Sequence, residues 1–515
     1  VHGYRWQDFE GVEVSVAMTA ALDATLATHL NKGRQEDLTF AYWRPSRGAS
    51  RYTAVLSEPL LPEDGDRILQ GNVAFTAQYL QRALRDVPAG CGLALLHSHP
   101  TPRWQGLSDD DRVAEAVRMG GAVAARTGLP VLGLTWGNDG SWSARIWLRK
   151  DRHQYEALWA SSVRVLGSRL RFSFHPTMRP PPPVPPSQVA TLSVWGRDAQ
   201  NDIARTRVGI VGLGSVGSIV AETLARVGVE QIVLIDHDRI EERNLDRTLN
   251  AYRSDAAAGT LKVAVAEQAV QLSHTAAAFV SNSVPISLCT RQGVEAALDC
   301  DVIFSCVDRP WPRAILNAMS KSHLVPIVDG GILARVTPDG HLLHVDWRIH
   351  TVGPGRQCLY CLGALRRSDV ALDMEGMLDN PDYVKGLSTA DRERYGRRNV
   401  LPFSLSVAAH EVLQFVGLVA GAPRVAGIGP QHYAAYPGEL YVEPTSKCEA
   451  DCEVDALAAS AVDLTVGLPN VSVGRPGADQ VQPPRRSRPV LGLASSGDFL
   501  RQLVKWARAT SARSK

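Results

Sequence analysis

The stretch Val208 to Asp238 reads VGIVGLGSVGSIVAETLARVGVEQIVLIDHD. A β-branched run enters Gly212, Gly214 and Gly217, a helical pattern follows from Ser215 to about Val227, and a second apolar run ends on Asp236. The order is strand, tight turn, helix, strand. The first two glycines let the backbone turn sharply and approach a phosphate, and the third lets helix and strand pack closely. The exposed helix N-terminus attracts negative charge. Asp236 falls about twenty residues on, where a ribose hydroxyl would be held. Nicotinamide, flavin and adenosine phosphate ligands all use this arrangement, so taken alone it leaves a dehydrogenase open.

A chain of 515 residues exceeds what one hydrophobic core usually supports, which predicts two domains with connecting segments. The 55 basic and 53 acidic residues nearly cancel, so no global field recommends nucleic acid or a membrane as partner. The sequence shows no signal peptide at its N-terminus and no apolar run of spanning length, and a cytoplasmic location is expected. Eight cysteines in so long a chain make a poor disulfide scaffold, and four of them sit in short pairs that read as metal ligands.

In the first part, AALDATLATHL within Val16 to about Leu30 follows a helical period, and Glu36 precedes the apolar run DLTFAYW. RYTAVL from Arg51 is expected to pair with that run as a second strand. A helix from about Ala74 to Leu84 leads to the strand CGLALLHSHP, where alternation puts His97 and His99 on one face. Ser108 stands at an N-cap before Asp109, Asp110 and Asp111 and the helix AEAVRMGGAVAAR. The strands VLGLTWG and SWSARIWL follow, and a helix from about Asp151 to Leu166 is expected to close the unit.

HSHP, seven residues, then SxxD resembles the metalloprotease signature of the JAB/MPN domains, which cut isopeptide bonds of ubiquitin-like modifiers. The resemblance implies a catalytic zinc on His97, His99 and Asp111, Glu36 polarising the metal-bound water, and Ser108 donating to the developing oxyanion. Three protein ligands leave a fourth position for water, whose pKa zinc lowers from about 15.7 to near 7. The loop between histidines and serine is one residue longer than the common version.

MRPPPPVPPS, Met178 to Ser187, reads as a semi-rigid polyproline spacer that holds two domains apart. Beyond it, each piece adds a group that hydride transfer does not need. Asn244 and Arg247 in NLDR can face one phosphate chain, and Lys262 after Gly259 opens a helix as a second cation. Asp308 ends the strand Val302 to Val307 at the carboxyl edge of the sheet, where open α/β sheets bind ligands. Two cations and a carboxylate around a glycine turn suit ATP with Mg2+.

The set GxGxxG, DxD, NxxR, GxxK and a strand-end aspartate, with VWG and Gln200 upstream, resembles the ThiF-type and ubiquitin-activating adenylating superfamily from roughly Ala190 to Glu453. The resemblance implies that Gly212, Gly214 and Gly217 shape the ATP site, that Asp236 binds the ribose, that Arg247 and Lys262 bind phosphates with Asn244 beside them, and that Asp308 binds magnesium. Cys358 and Cys361, with Cys448 and Cys452, are four thiolates suited to a closed structural zinc site. The family usually has two residues inside each pair, and the second pair here has three. No arginine precedes VWG to complete a partner's ATP site, and Leu362 to Leu440 holds no cysteine nucleophile, so a thioester would need Cys91, Cys289, Cys300, Cys306 or a partner's thiol.

The expected fold class is α/β. A JAB/MPN α/β metalloprotease domain (1–175) is joined by the Pro-rich linker (176–189) to a Rossmann-like adenylation domain with a four-cysteine zinc site (190–455), followed by a C-terminal loop and short basic helix (456–515). The combined reading is a two-headed enzyme that cuts after, and adenylates, the terminal carboxylate of a ubiquitin-like protein. An E2-like thiol protein and a second copy of the chain, docked through the adenylation domain, are the expected partners. The alternative is a sulfur-carrier or peptide adenylyltransferase with an accessory trimming peptidase.

Overall fold

The computed structural model describes residues 4–31, 35–70, 72–151, 154–337, 339, 341–388, 399–421 and 429–470. The expected C-terminal basic helix, FLRQLVKWAR, lies outside them.

The first sheet has nine strands: β1 (Glu13–Thr19), β2 (Leu38–Arg47), β3 (Arg51–Leu60), β6 (Gly92–His99), β7 (Val131–Gly137), β8 (Trp142–Asp151), β9 (Gln154–Trp159), β10 (Ser162–Leu166) and β11 (Leu170–Phe174). Their spatial order is β11-β10-β1-β3-β2-β6-β7-β8-β9, and β4 (Arg67–Gln70) with β5 (Asn72–Phe75) forms a separate ribbon. β1 runs parallel to β3 and β10, and β6 parallel to β7.

Two expectations fail here. The helix expected from Val16 begins at Ala20, because the β-branched run EVSVAMT pairs on both edges and Thr19 then caps the helix by accepting the Leu22 N–H at 3.2 Å. The helix expected over Asp151–Leu166 is absent: those residues form β9 and β10, and all five residues of β10 are buried. Pairing with β8 and β1 decides the conformation of that ambiguous apolar run, as cross-strand packing commonly does.

In the second sheet β12 (Arg207–Val211), β13 (Gln231–Ile235), β14 (Val280–Val284), β15 (Val302–Ser305) and β16 (Ile327–Val336) are parallel, while β17 (Leu342–Val352), β18 (Gln431–Ala434) and β19 (Glu439–Val442) continue antiparallel. Their spatial order is β14-β13-β12-β15-β16-β17-β18-β19. The helix Ser215–Val227 follows β12 and is stopped by Gly228 at φ +96°, a left-handed C-terminal residue.

The helix Leu401–Ala420 corrects another expectation, since by length and composition it could cross a membrane. It is mostly buried, with Val407, Ala408, Phe415 and Val416 in the same core as Ile210, Leu224 and Phe304.

The proline-rich stretch does not hold the halves apart. Ala17, Val55, Leu166 and Leu170 of the first half share one hydrophobic core with Val208, Phe304 and Val419 of the second. Gln188 is buried and donates to the Thr275 carbonyl at 3.2 Å, so the end of the stretch lies against the second half. The polar seam uses the amino ends of the parallel strands. Asp299 accepts the Ser50 N–H at 3.1 Å and the Arg51 N–H at 3.0 Å, Asp301 pairs with Arg51 and Arg164, and His323 Nδ1 lies 2.7 Å from Ser46 Oγ. The glycine turn after β12 lies at the opposite, carboxyl end of the same sheet.

Candidate functional site

The glycine turn is built by backbone necessity. Gly212 has φ +90°, and a Cβ there would meet the Cys306 carbonyl oxygen at 2.5 Å; a Cβ on Gly217 would meet the Gly212 carbonyl oxygen at 1.9 Å. Around Gly214 a Cβ would meet nothing, so this glycine faces open space where a ligand can approach. It is also the N-cap of Ser215–Val227 and supplies no side chain to that helix's first N–H groups, which remain donors for an anion.

Asp236 clasps this turn from below. One carboxylate oxygen accepts the Leu213 N–H at 2.6 Å and the other the Asp238 N–H at 2.8 Å. Lys262 opens the helix Lys262–Ser273 and its Nζ lies 2.8 Å from Asp238 Oδ2. Arg247 Nη1 donates to the Arg243 carbonyl at 2.7 Å and pairs with Asp246 at 2.8 Å, and Asn244 Oδ1 accepts the Glu241 N–H at 2.9 Å. Asn244 therefore shapes its own loop. Asp308 is exposed just beyond β15, which ends at Ser305.

Cys358, Cys361, Cys448 and Cys452 converge with their sulfurs within 4.8 Å of one another. Cys358 Sγ and Cys452 Sγ are 3.6 Å apart, close to the roughly 3.8 Å that tetrahedral zinc–thiolate bonds of about 2.3 Å require. The donor set fits a structural zinc despite the wider second pair.

In the first half, β6 carries His97 and His99 to its end, and Ser108 caps Asp109–Arg112 in a reciprocal box. Ser108 Oγ accepts the Asp111 N–H at 3.1 Å, and Asp111 Oδ2 accepts the Ser108 N–H at 3.0 Å. That box turns the other carboxylate oxygen toward the strand. Asp111 Oδ1 lies 2.9 Å from His97 Nε2, and the two histidine Nε2 atoms are 3.1 Å apart. Zinc bonds of about 2.0–2.1 Å at tetrahedral angles place ligand atoms about 3.4 Å apart, so these three donors fit zinc after a small expansion. Burial would raise the Asp111 pKa, but His97, the Ser108 N–H and Arg145 outweigh it and hold the carboxyl below the ordinary range. Pairing of Leu38 with His97 sets the chain just before β2 beside the site. Glu36 acts electrostatically on His99, whose pKa burial and then His97 lower while Asp111 and Glu36 oppose.

Residues 186–437 match the ThiF family. The match covers just under half of the chain. Its curated relatives include the Caenorhabditis briggsae "Adenylyltransferase and sulfurtransferase MOCS3", 29% identical over 33% of this chain and 39% of that protein. The "Molybdopterin-synthase adenylyltransferase" of Escherichia coli K12 is 31% identical over 33% of this chain and 63% of its own. The "Ubiquitin-like modifier-activating enzyme 5" of Drosophila willistoni is 27% identical over 27% of this chain and 36% of its own. The chain thus spans between about a third and two thirds of these relatives. Among solved structures, E. coli MccB with ATP is 17% identical, covers 50% of this chain and 68% of its own, and superposes with a TM-score of 0.37.

The structure adds residues to the candidate site that the sequence patterns passed over. Asn399 Nδ2 donates to Ser215 Oγ, at the start of the helix after the glycine turn, and to Ser404 Oγ, each at 2.8 Å. Arg309 and the Trp311 N–H bind Asp373, which ties the helix Arg367–Met374 beside Asp308. Neither contact has a spacing signal, because each joins residues from separate elements.

Proposed function

We propose that the chain is an ATP-dependent adenylyltransferase that activates the C-terminal carboxylate of a protein or peptide, with an N-terminal zinc peptidase half that trims or releases such tails. The observation that carries the first activity is the glycine turn of the ThiF domain, opening at Gly214 onto uncapped helix N–H groups with Lys262 nearby and Asp308 at the neighbouring strand end. The names of the relatives span sulfur-carrier and ubiquitin-like chemistry, and they suit the sulfur-carrier or peptide alternative better than a reading restricted to ubiquitin-like modifiers.

In this reading a substrate carboxylate oxygen attacks the α-phosphorus of ATP and pyrophosphate leaves. Asp308 would hold the magnesium, and Lys262 would exchange its contact with Asp238 for a phosphate oxygen, as would Arg247 with Asp246. Fixed donors aimed at charge that moves to the leaving group are the main catalytic resource in such transfers. Asp236 keeps the turn in shape while its remaining lone pairs accept a ribose hydroxyl.

In the first half, His97, His99 and Asp111 would hold zinc, which lowers the pKa of a bound water toward 7. Glu36 would take a proton from the attacking water and return it to the leaving amine. Ser108 Oγ already accepts the Asp111 N–H, so its hydroxyl proton is available to the carbonyl oxygen under attack.

The test is exchange of labelled pyrophosphate into ATP, driven by a small protein or peptide ending in glycine. The parent is expected to exchange and Asp308→Ala to lose at least about 100-fold, the scale of a lost electrostatic stabiliser. Exchange near the parent rate in Asp308→Ala overturns the assignment, and tight NAD binding by the parent would return the turn to a dehydrogenase.

A further inference from the structure

Two residues beyond Asp111 the helix widens: Val113–Met119 is π-helical, a rare form that is frequent at functional sites. It carries Glu115 inward to 0% exposure. β7 makes room with Gly133, where a Cβ would stand 2.1 Å from Glu115 Oε2. On the paired strand, Arg145, also at 0% exposure, grips Glu115 with two arms, Nε to Oε2 at 2.9 Å and Nη2 to Oε1 at 2.5 Å. Trp147 Nε1 donates to the same carboxylate at 2.5 Å.

The guanidinium then reaches the candidate zinc ligands. Arg145 Nη1 donates to Thr135 Oγ1 at 2.9 Å, and that hydroxyl lies 3.4 Å from His97 Nε2. Arg145 Nη2 stands 4.0 Å from Asp111 Oδ2, the oxygen that also accepts the Ser108 N–H. One buried cation is thus held by Glu115, whose carboxylate Trp147 fixes in turn, and it reaches the surroundings of two of the three ligands.

We propose that Glu115 and Arg145 are a positioning pair for the zinc site, holding the Asp111 carboxylate by charge and fixing Thr135, which lines the strand beside His97. Stability alone is a poor reason for the pair, because well-packed apolar residues of similar volume often stabilise a core as well as a buried ion pair does. A π-helical stretch and a bare glycine in a central strand are further concessions that packing by itself does not need. Outer contacts of this kind orient metal ligands, and their loss typically costs 10- to 100-fold in affinity.

The inference rests on the zinc-peptidase reading, and the experiment separates the two. Zinc affinity of the full chain is measured by chelator competition, and the site lost in His97→Ala identifies the ion in question. A parent without a His97-dependent zinc overturns the metal reading itself. Given that zinc, the Glu115→Leu/Arg145→Met double variant is expected to melt near the parent temperature and bind that ion at least about 10-fold more weakly. Parent affinity in the folded double variant shows a purely structural pair and overturns the proposal. Should the double variant fail to fold, Arg145→Lys decides: it keeps a cation for Glu115 but lacks the guanidinium arms that reach Thr135 and Asp111, a several-fold weaker His97-dependent site is expected, and unchanged affinity overturns the proposal.

Discussion

Arg51 Nη1 lies 2.7 Å from Asp301 Oδ1, an ion pair between residues 250 positions apart that fastens the first half of the chain to the amino end of β15. Both side chains are almost fully buried. Arg164 reaches the same carboxylate at 3.3 Å, and the Arg207 N–H at 3.0 Å. A carboxylate so surrounded leaves uncompensated cations behind if it is removed.

Asp301→Asn is therefore expected to destabilise the whole chain by about 3–5 kcal/mol, the usual cost of breaking a buried pair from one side. The pH dependence has a definite sign. Burial would raise the Asp301 pKa, but Arg51, Arg164 and Arg179 outweigh it and hold the carboxyl down to about 2. A depressed carboxyl contributes stability that is fully present above about pH 4 and lost as pH falls toward 2, on the order of 2 kcal/mol. Melting curves between pH 6 and 2 should show the parent losing that increment and Asp301→Asn lacking it. Equal slopes for the two proteins would remove Asp301 from this role.

Glu36→Gln and His97→Ala should part company. Glu36 lies outside the three-donor cluster, so the glutamine variant is expected to keep the His97-dependent zinc and lose cleavage of a carrier or modifier fusion by at least about 100-fold. His97→Ala should lose both metal and cleavage. Zinc analysis beside a gel-based cleavage assay distinguishes them, and cleavage retained by Glu36→Gln would assign the proton transfer elsewhere.

The four cysteines outside the thiolate cluster are poor nucleophiles. Burial pushes Cys91 up to about 11 and Cys289 up to about 12, and it raises Cys300 and Cys306 well above the ordinary thiol range, with Glu411 and Asp329 adding to the effect at Cys306. Mixing the enzyme with ATP, magnesium and a glycine-ending carrier should give no enzyme adduct that a reductant releases. A reductant-sensitive adduct abolished by Cys306→Ser, or by another of the four substitutions, would identify a catalytic thiol.

Zinc held by the four cysteines would steady the second half, and its removal should leave the first site's donors untouched. Cys358 is buried, and Leu359 beside it packs with Leu365 and Leu457. Cys448→Ser is expected to lower the melting temperature by several degrees and to release one zinc equivalent while the His97-dependent ion stays. Loss of both ions, or of neither, would break this independence.

Local chemistry was legible from the sequence wherever the residues of one function sit close together along the chain. HSHP with SxxD, the three glycines around Ser215 and the two cysteine pairs each lie within a strand end, a turn, a cap or a first helical turn whose geometry is set by φ, ψ and the alternation of side chains. The expected helix over Asp151–Leu166 failed because that run satisfies helical and strand patterns alike, and only pairing with β1 and β8 chooses between them. The proline stretch read as a spacer because its composition describes its own stiffness, not the surfaces at its ends. Whether Arg51 meets Asp301, Asn399 meets Ser215 or Arg145 grips Glu115 depends on distant segments meeting in three dimensions. Burial then makes the two ion pairs obligatory, since an unmatched charge inside the protein costs far more than one in water.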